Sequence, residues 1–236
     1  MSYYCFGIVM NKKSFALLTI GTICLIAFTV WTLLVMFMDV KPLGVDNTNI
    51  GLSTFNLWVF NSLGTNMIFY VVTDWLGLVP IAICICFGVV GLVELIKRKS
   101  LFKVDKDIIL LGIYYVFVIF LYLLFEMIVI NYRPILIDGY KESSYPSSTT
   151  LLVLSVMPTL SFETNRRLKN KWVRLAINLF SVSFSLFMVI GRLISGVHWI
   201  SDIIGSIILS SGLFIMYLFS LSLWEKKERD NNGIQR

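Results

Sequence analysis

Six long runs of apolar residues, separated by short polar or charged segments, dominate the sequence: positions 14–38, 67–96, 107–130, 148–164, 173–191 and 200–223. A spanning helix needs roughly 17 to 25 such residues, so the pattern predicts six transmembrane helices, the fourth being the shortest. The first run is too long for a secretory signal and lacks a small-residue cleavage site, so it is expected to stay as an anchor. Between the first two runs, Leu52, Phe55, Val59 and Leu63 recur at helical spacing. They predict either a short helix in the membrane interface, roofing an outer pocket, or a loop that only returns the chain to the bilayer. The second run is long for a bilayer, so its first turns, Asp74 included, are expected to project outward and Pro80 to kink it. No chemistry is assigned to Asp74. No internal repeat or linker divides the chain, and residues 1–236 form one expected all-α membrane domain. The polar end from Glu225 to Arg236 is expected to be solvated and partly disordered.

Composition agrees with lipid as the solvent. Hydrophobic residues make up 57% of the chain, charged ones 14%, and the mean hydropathy is +0.82, all far from soluble globular averages. The charges are also sorted. Lys12 and Lys13, the group Lys97 to Lys106, the group Arg166 to Arg174, and Lys226 to Arg236 all fall on one side of a six-span layout. By the positive-inside bias that side is cytoplasmic and so are both termini. The net charge of +6 then follows from topology and lipid anchorage, and nucleic acid is not an expected partner. Only Lys41, Arg133, Lys141 and Arg192 remain for the outer face. Trp75 and Trp199 are placed near outer membrane edges, Trp172 and Trp224 near inner ones. Cys5, Cys24, Cys84 and Cys86 offer neither an exposed pair nor zinc-ligand spacing and are taken as packing residues.

The candidate chemistry gathers on that outer face. The stretch Gly191 to Asp202 holds the chain's one histidine, His198, six residues after Arg192 and four before Asp202. Charge between two apolar runs is expensive and usually functional. If a helix opens at Trp199, His198 and Asp202 lie one turn apart, so the carboxylate can fix one ring nitrogen and leave the other free to attack. The alternative on these residues is a polar cap, with Asp202 satisfying first-turn N–H groups. The preceding outer segment carries Arg133-Pro134 and then Pro146-Ser147-Ser148-Thr149, a helix-start signal whose N–H groups and hydroxyls make an anion site.

These segments resemble the type 2 phosphatidic acid phosphatase superfamily, the membrane relatives of the vanadium haloperoxidases. Its signature runs Lys, six residues, Arg-Pro; then Pro-Ser-Gly-His; then Ser-Arg, five residues, His, three residues, Asp. The chain supplies Arg133-Pro134, Pro146-Ser147 and Arg192, His198, Asp202 in that order. The resemblance implies a six-helix fold with the active site on the outer face and no metal or other cofactor. It implies that His198 attacks phosphorus and carries a phosphohistidine, with Asp202 holding its ring. Arg133, Arg192, Ser147 and Ser148 with nearby N–H groups would hold the phosphate oxygens.

Four positions depart from the signature: Glu126 for Lys, Ser148 for Gly, Thr149 for the second His, and Gly191 for Ser. Glu126 repels a phosphate unless it turns away, pairs with a cation such as Arg133, or is protonated. Lys141 is a candidate to supply the missing charge. Thr149 stands at a catalytic position but cannot titrate near neutral pH, and lost general acid–base catalysis typically costs about 10² to 10⁴ in rate. An alkoxide leaving group needs that proton, whereas a phosphate leaving from a diphosphate does not. The expected function is therefore hydrolysis of a lipid phosphomonoester or, preferentially, a lipid diphosphate at the extracytoplasmic leaflet, in an integral, multi-pass protein of a bacterial plasma membrane. The alternatives are a lipid phosphotransferase and an inactive relative that binds lipid phosphate.

Overall fold

The computed structural model describes residues 3–5, 8–10 and 12–234. Strands β1 (Tyr3–Cys5) and β2 (Ile8–Met10) form a small hairpin before α1 (Lys12–Phe37). A second antiparallel pair, β3 (Lys41–Pro42) with β4 (Asn49–Ile50), leads into α2 (Ser53–Leu63). Then come α3 (Met67–Leu76), α4 (Leu78–Arg98), α5 (Lys106–Met127), α6 (Ser148–Arg167), α7 (Lys171–Ile194) and α8 (Ile200–Ile234).

Local chemistry accounts for the boundaries. Asn66 caps α3, its side-chain oxygen accepting from the N–H groups of Ile68 (3.1 Å) and Phe69 (3.3 Å), and Asn170 caps α7 through Trp172 (2.9 Å) and Val173 (3.4 Å). Cations occupy the last turns of α4 (Lys97, Arg98) and α6 (Arg166, Arg167), where they offset the negative helix end. The second apolar run breaks at Gly77, between α3 and α4, rather than at Pro80 itself. Pro80 has no N–H to give the Leu76 carbonyl four residues earlier, so the disruption falls one turn before the proline.

Among the described residues, five segments are long and apolar enough to cross a membrane: Lys12–Phe37, Met67–Arg98, Lys106–Met127, Lys171–Ile194 and Ile200–Lys226. The expected fourth span is α6, which does not qualify by composition. Its position explains why. It lies at the centre, packed against α4, α5, α7 and α8, and buries Thr150, Ser155, Thr159, Glu163 and Thr164 within protein. A helix shielded from lipid need not be apolar. Leu151 and Val156 of α6 join Leu111 and Val118 of α5 and Leu209 and Leu213 of α8 in one core. Val153 and Met157, on the opposite face, meet Phe184 and Met188 of α7 in a second. The outward faces carry exposed apolar side chains such as Ile23, Ile68, Val116 and Leu179, as a bilayer as solvent requires.

The predicted short helix exists as α2, lying against the start of α8. The polar tail is helical through Ile234, not disordered, because α8 simply continues; Arg236 lies outside the described residues. At that end of the bundle, Arg166 pairs with Glu225 (2.6 Å), Arg167 with Asp107 (2.7 Å) and Arg98 with Asp105 (2.7 Å). Residues Arg133, Ser147 and His198 sit at the other end of the same helices. Trp75 and Trp172 are exposed, whereas Trp199 is buried, its Nε1 donating to the Tyr132 carbonyl (2.8 Å). Trp199 therefore belongs to the protein interior and is not a membrane-edge anchor.

Candidate active site

The segment between α5 and α6 folds back on itself as an irregular hairpin. Tyr132 bridges Ser143 and Ile137 bridges Tyr140, with Asp138 (φ 50°) and Gly139 (φ 81°) at the turn. Positive φ at both central residues suits an Asp-Gly pair. The hairpin is tied to the α1–α2 connection, where the Gly51 N–H donates to Asn131 (3.2 Å) and Lys141 pairs with Asp46 (2.9 Å). Lys141, a candidate to supply the missing charge, thus has Asp46 as its carboxylate partner. The return strand of the hairpin delivers Ser144, Tyr145 and Ser147, all buried. The Tyr145 hydroxyl bonds Thr32 of α1 (2.8 Å), and its ring lies where a Cβ on Gly205 would come within 2.8 Å. Only glycine at 205 lets the hairpin sit this close to α8.

The α7–α8 connection presents His198 to that hairpin. It is held by a close approach at Gly196, where φ is 71° and an added Cβ would lie 2.7 Å from the Gly64 carbonyl oxygen. From below, α2 supports the first turn of α8: Asn56 accepts from the Ser201 N–H (3.1 Å) and donates to the Ser201 hydroxyl (3.0 Å).

His198 is buried, and its two nitrogens have partners of fixed sense. Nδ1 lies 3.1 Å from the Ser144 carbonyl oxygen, which can only accept. Nε2 lies 3.3 Å from an Arg192 Nη, which can only donate. The neutral ring must therefore carry its proton on Nδ1 and expose a lone pair at Nε2. Burial first, then the charges of Arg133 and Arg192, hold its pKa well below the ordinary 6.5, opposed by the Ser144 carbonyl. These surroundings disfavour the protonated ring and leave the Nε2 lone pair facing Arg192.

Asp202 does not touch the ring as the one-turn spacing suggests, its Oδ2 standing 3.8 Å from Nδ1. That oxygen instead accepts from the Trp199 N–H (2.8 Å) and from the Ser144 hydroxyl. A residue three positions into a helix reaching back to the capping N–H is the reciprocal half of a capping box. Asp202 thus makes a capping contact at the start of α8, and its other partner, the Ser144 hydroxyl, also lies 3.2 Å from His198 Nδ1.

Both arginines are buried and each retains unsatisfied N–H groups: Arg133 at one Nη, Arg192 at Nε and one Nη. Each is also flanked by a carboxylate. Glu142 lies 3.0 Å from an Arg133 Nη, and Asp74, 3.7 Å from an Arg192 Nη, is too far for a hydrogen bond. The Arg192 guanidinium also lies over the Tyr70 ring, 5.5 Å from its centroid. Buried guanidinium donors left open beside a bare imidazole nitrogen are complementary to an oxyanion such as phosphate.

The remaining expected residues are placed less directly. Ser147 precedes α6 and its hydroxyl donates to Thr150 (3.0 Å); Ser148 is the first residue of α6. Glu126 is exposed, and among the described residues it makes no ion pair, Arg133 taking Glu142 instead. Thr149 has no hydrogen bond to His198; it lines a cavity of about 360 Å³ between α3–α4 and α5, with Asp74, Leu78, Ile119, Tyr122 and Leu152. Among the described residues, no group of three or more His, Cys, Asp or Glu is placed to hold a metal ion. Ser144 and Glu142 escaped the sequence reading, and Asp74, placed on the outer turns, was given no chemistry. Ser144 carried one signal, its place in a polar run just before Pro146-Ser147, whereas nothing marked Glu142.

Comparison with known proteins bears on this arrangement. The PAP2 superfamily model matches residues 113–227, a stretch that contains Arg133, Ser147, Arg192, His198 and Asp202. A solved transmembrane PAP2-type phosphatidylglycerolphosphate phosphatase from Bacillus subtilis is similar at 18% identity, over 75% of this chain and 94% of that one, with a TM-score of 0.44. Comparison with curated proteins gives no match. The match to the PAP2 superfamily model thus covers residues 113–227, a little under half of the chain, and takes in every one of the converging motifs.

Proposed function

We propose that the protein is a membrane lipid phosphatase in which His198 is the nucleophile. The observation that carries this reading is the bare Nε2 of a neutral, buried imidazole beside the unsatisfied guanidinium donors of Arg192, with Arg133 close enough to depress its pKa. A phosphate entering between ring and guanidinium would replace the Nε2 contact with phosphate oxygens. Nε2 then attacks phosphorus as the bond to the leaving oxygen breaks, the electron pair departing with that oxygen. The arginines hold the equatorial oxygens as charge redistributes. Water next attacks phosphorus, the phosphorus–nitrogen bond breaks with its pair returning to Nε2, and the water proton leaves with inorganic phosphate.

The substrate is amphiphilic. The cavity lined by Thr149 is walled mainly by apolar residues of α4 and α5, a suitable berth for a hydrocarbon tail. Because Thr149 cannot protonate a leaving alkoxide, a lipid diphosphate is the favoured substrate over a phosphomonoester. The sorting of cations to the end opposite His198 supports six spans with both termini cytoplasmic and the site at the outer leaflet. The compact plan with short connections fits a bacterial plasma membrane.

Phosphate release from purified protein in detergent, over phosphatidate, phosphatidylglycerophosphate and undecaprenyl diphosphate, tests the reading. Release should be abolished by His198→Ala, and diphosphate should turn over faster than phosphatidate. Equal rates on the two would refute the leaving-group argument, and Thr149→His should raise phosphomonoester turnover selectively. A second reading, a protein that binds lipid phosphate without turnover, draws on Thr149 and on the Glu142 carboxylate already seated on Arg133. Phosphate binding with no release from any of these lipids would favour it.

A further inference from the structure

We infer that Ser144 is the positioning residue that couples Asp202 to the His198 ring, a role beyond the phosphatase reading and resting on it only where turnover is measured. Three contacts made by this one buried residue carry the inference. Its carbonyl accepts from Nδ1–H at 3.1 Å, its hydroxyl oxygen lies 3.2 Å from the same nitrogen, and its hydroxyl proton is given to Asp202 Oδ2. Asp202 itself stays 3.8 Å from Nδ1, beyond hydrogen-bond reach.

Proton accounting fixes the direction. A serine has one hydroxyl proton, and Oγ donates it to Asp202 Oδ2, so that proton lies on the Asp202 side. The lone pairs of Oγ then face Nδ1 and reinforce its role as donor. The sequence Nδ1–H to Oγ, and Oγ–H to Oδ2, relays the influence of the carboxylate to the ring without direct contact. As positive charge develops on the ring during attack by Nε2, the hydrogen bond donated by Nδ1–H strengthens and polarises the serine toward Asp202. The hairpin supplies the rigidity this needs: the Ser144 N–H donates to the Asn131 carbonyl (2.9 Å), and Asn131 in turn accepts from the Gly51 N–H. A shift of the hairpin would move both ring contacts together, so the α5–α6 and α7–α8 connections are registered to each other at this residue.

The test exploits the chain's single histidine. Ring-labelled [15N]histidine in the full-length protein reports His198 alone, with or without a substrate. Wild type should show Nδ1 protonated and Nε2 bare. Asp202→Asn should shift the Nδ1 resonance in the wild-type background and leave it nearly unmoved in the Ser144→Ala background. An equal shift in both backgrounds would overturn the inference, because Asp202 would then act on the ring directly. Should Ser144→Ala not fold, Ser144→Cys keeps the volume with a weaker donor and carries the same comparison. In turnover, Ser144→Ala should lower kcat about tenfold with KM unchanged, and a change confined to KM would contradict the role. If no lipid is hydrolysed by wild type, the phosphatase reading fails while the resonance comparison still decides the role of Ser144.

Discussion

Glu142 offers a direct test of whether the two arginines form an anion pocket. In the structure its carboxylate lies 3.0 Å from an Arg133 Nη, on the hairpin that frames the site. Phosphate and Glu142 compete for that guanidinium, so an incoming phosphate must first break the ion pair. The carboxylate side chain is 41% exposed while that of Arg133 is 9% exposed, so the pair is half solvated and water screens it. A pair of this kind is worth about 0.5–1 kcal/mol. Glu142→Gln removes the charge with almost no change of shape, and relief of that competition predicts phosphate binding tighter by about two- to fivefold. Titration of the detergent-solubilised protein with inorganic phosphate or vanadate, followed by calorimetry at low ionic strength, measures the change. The gain should shrink as salt is raised, because the exposed partner is screened. Unchanged or weaker anion binding in Glu142→Gln would show that Arg133 does not face the anion, and the two-arginine pocket would be refuted.

Three further outcomes are expected. Arg192→Lys replaces a buried fork by a point charge and forfeits charge-assisted bonds worth about 1.5–3 kcal/mol, so kcat/KM should fall roughly ten- to hundredfold; retention of activity would remove Arg192 from the site. Because burial and the neighbouring arginines depress the His198 pKa, its acid limb in kcat/KM should lie well below pH 6.5. The unfolded chain takes up a proton on His198 below about pH 6.5. Stability should therefore be level above that pH and fall below it, a slope that His198→Ala should lessen in thermal unfolding. Gly196→Ala forces a side chain onto a residue at φ 71° with the Gly64 carbonyl 2.7 Å from its Cβ. It should cost roughly 1–3 kcal/mol, read as a lowered Tm, and an unchanged Tm would mean the connection relaxes freely.

Much of this protein follows from one-dimensional pattern. Apolar run length alone locates α1, the α3–α4 pair, α5, α7 and the membrane part of α8, because a bilayer demands internally bonded helices of a certain length. The three- and four-residue spacing of Leu52, Phe55, Val59 and Leu63 is compatible with α2 but also allowed a loop, and the order of Arg133, Ser147, Arg192 and His198 suffices to suggest a phosphate site. What depended on tertiary packing was whatever involves distance between segments far apart in the chain. Helix α6 is polar because four other helices surround it, a fact its own residues do not state. Spacing on a helix brings Asp202 toward His198, yet its carboxylate is taken by the Trp199 N–H and by Ser144, which arrives from a hairpin more than fifty residues earlier. The same hairpin sets Glu142, not Glu126, on Arg133 and turns Lys141 to Asp46. Periodicity encodes which face of a helix is apolar, but the register of one connection against another is settled only when side chains from all of them compete for the same few donors and acceptors.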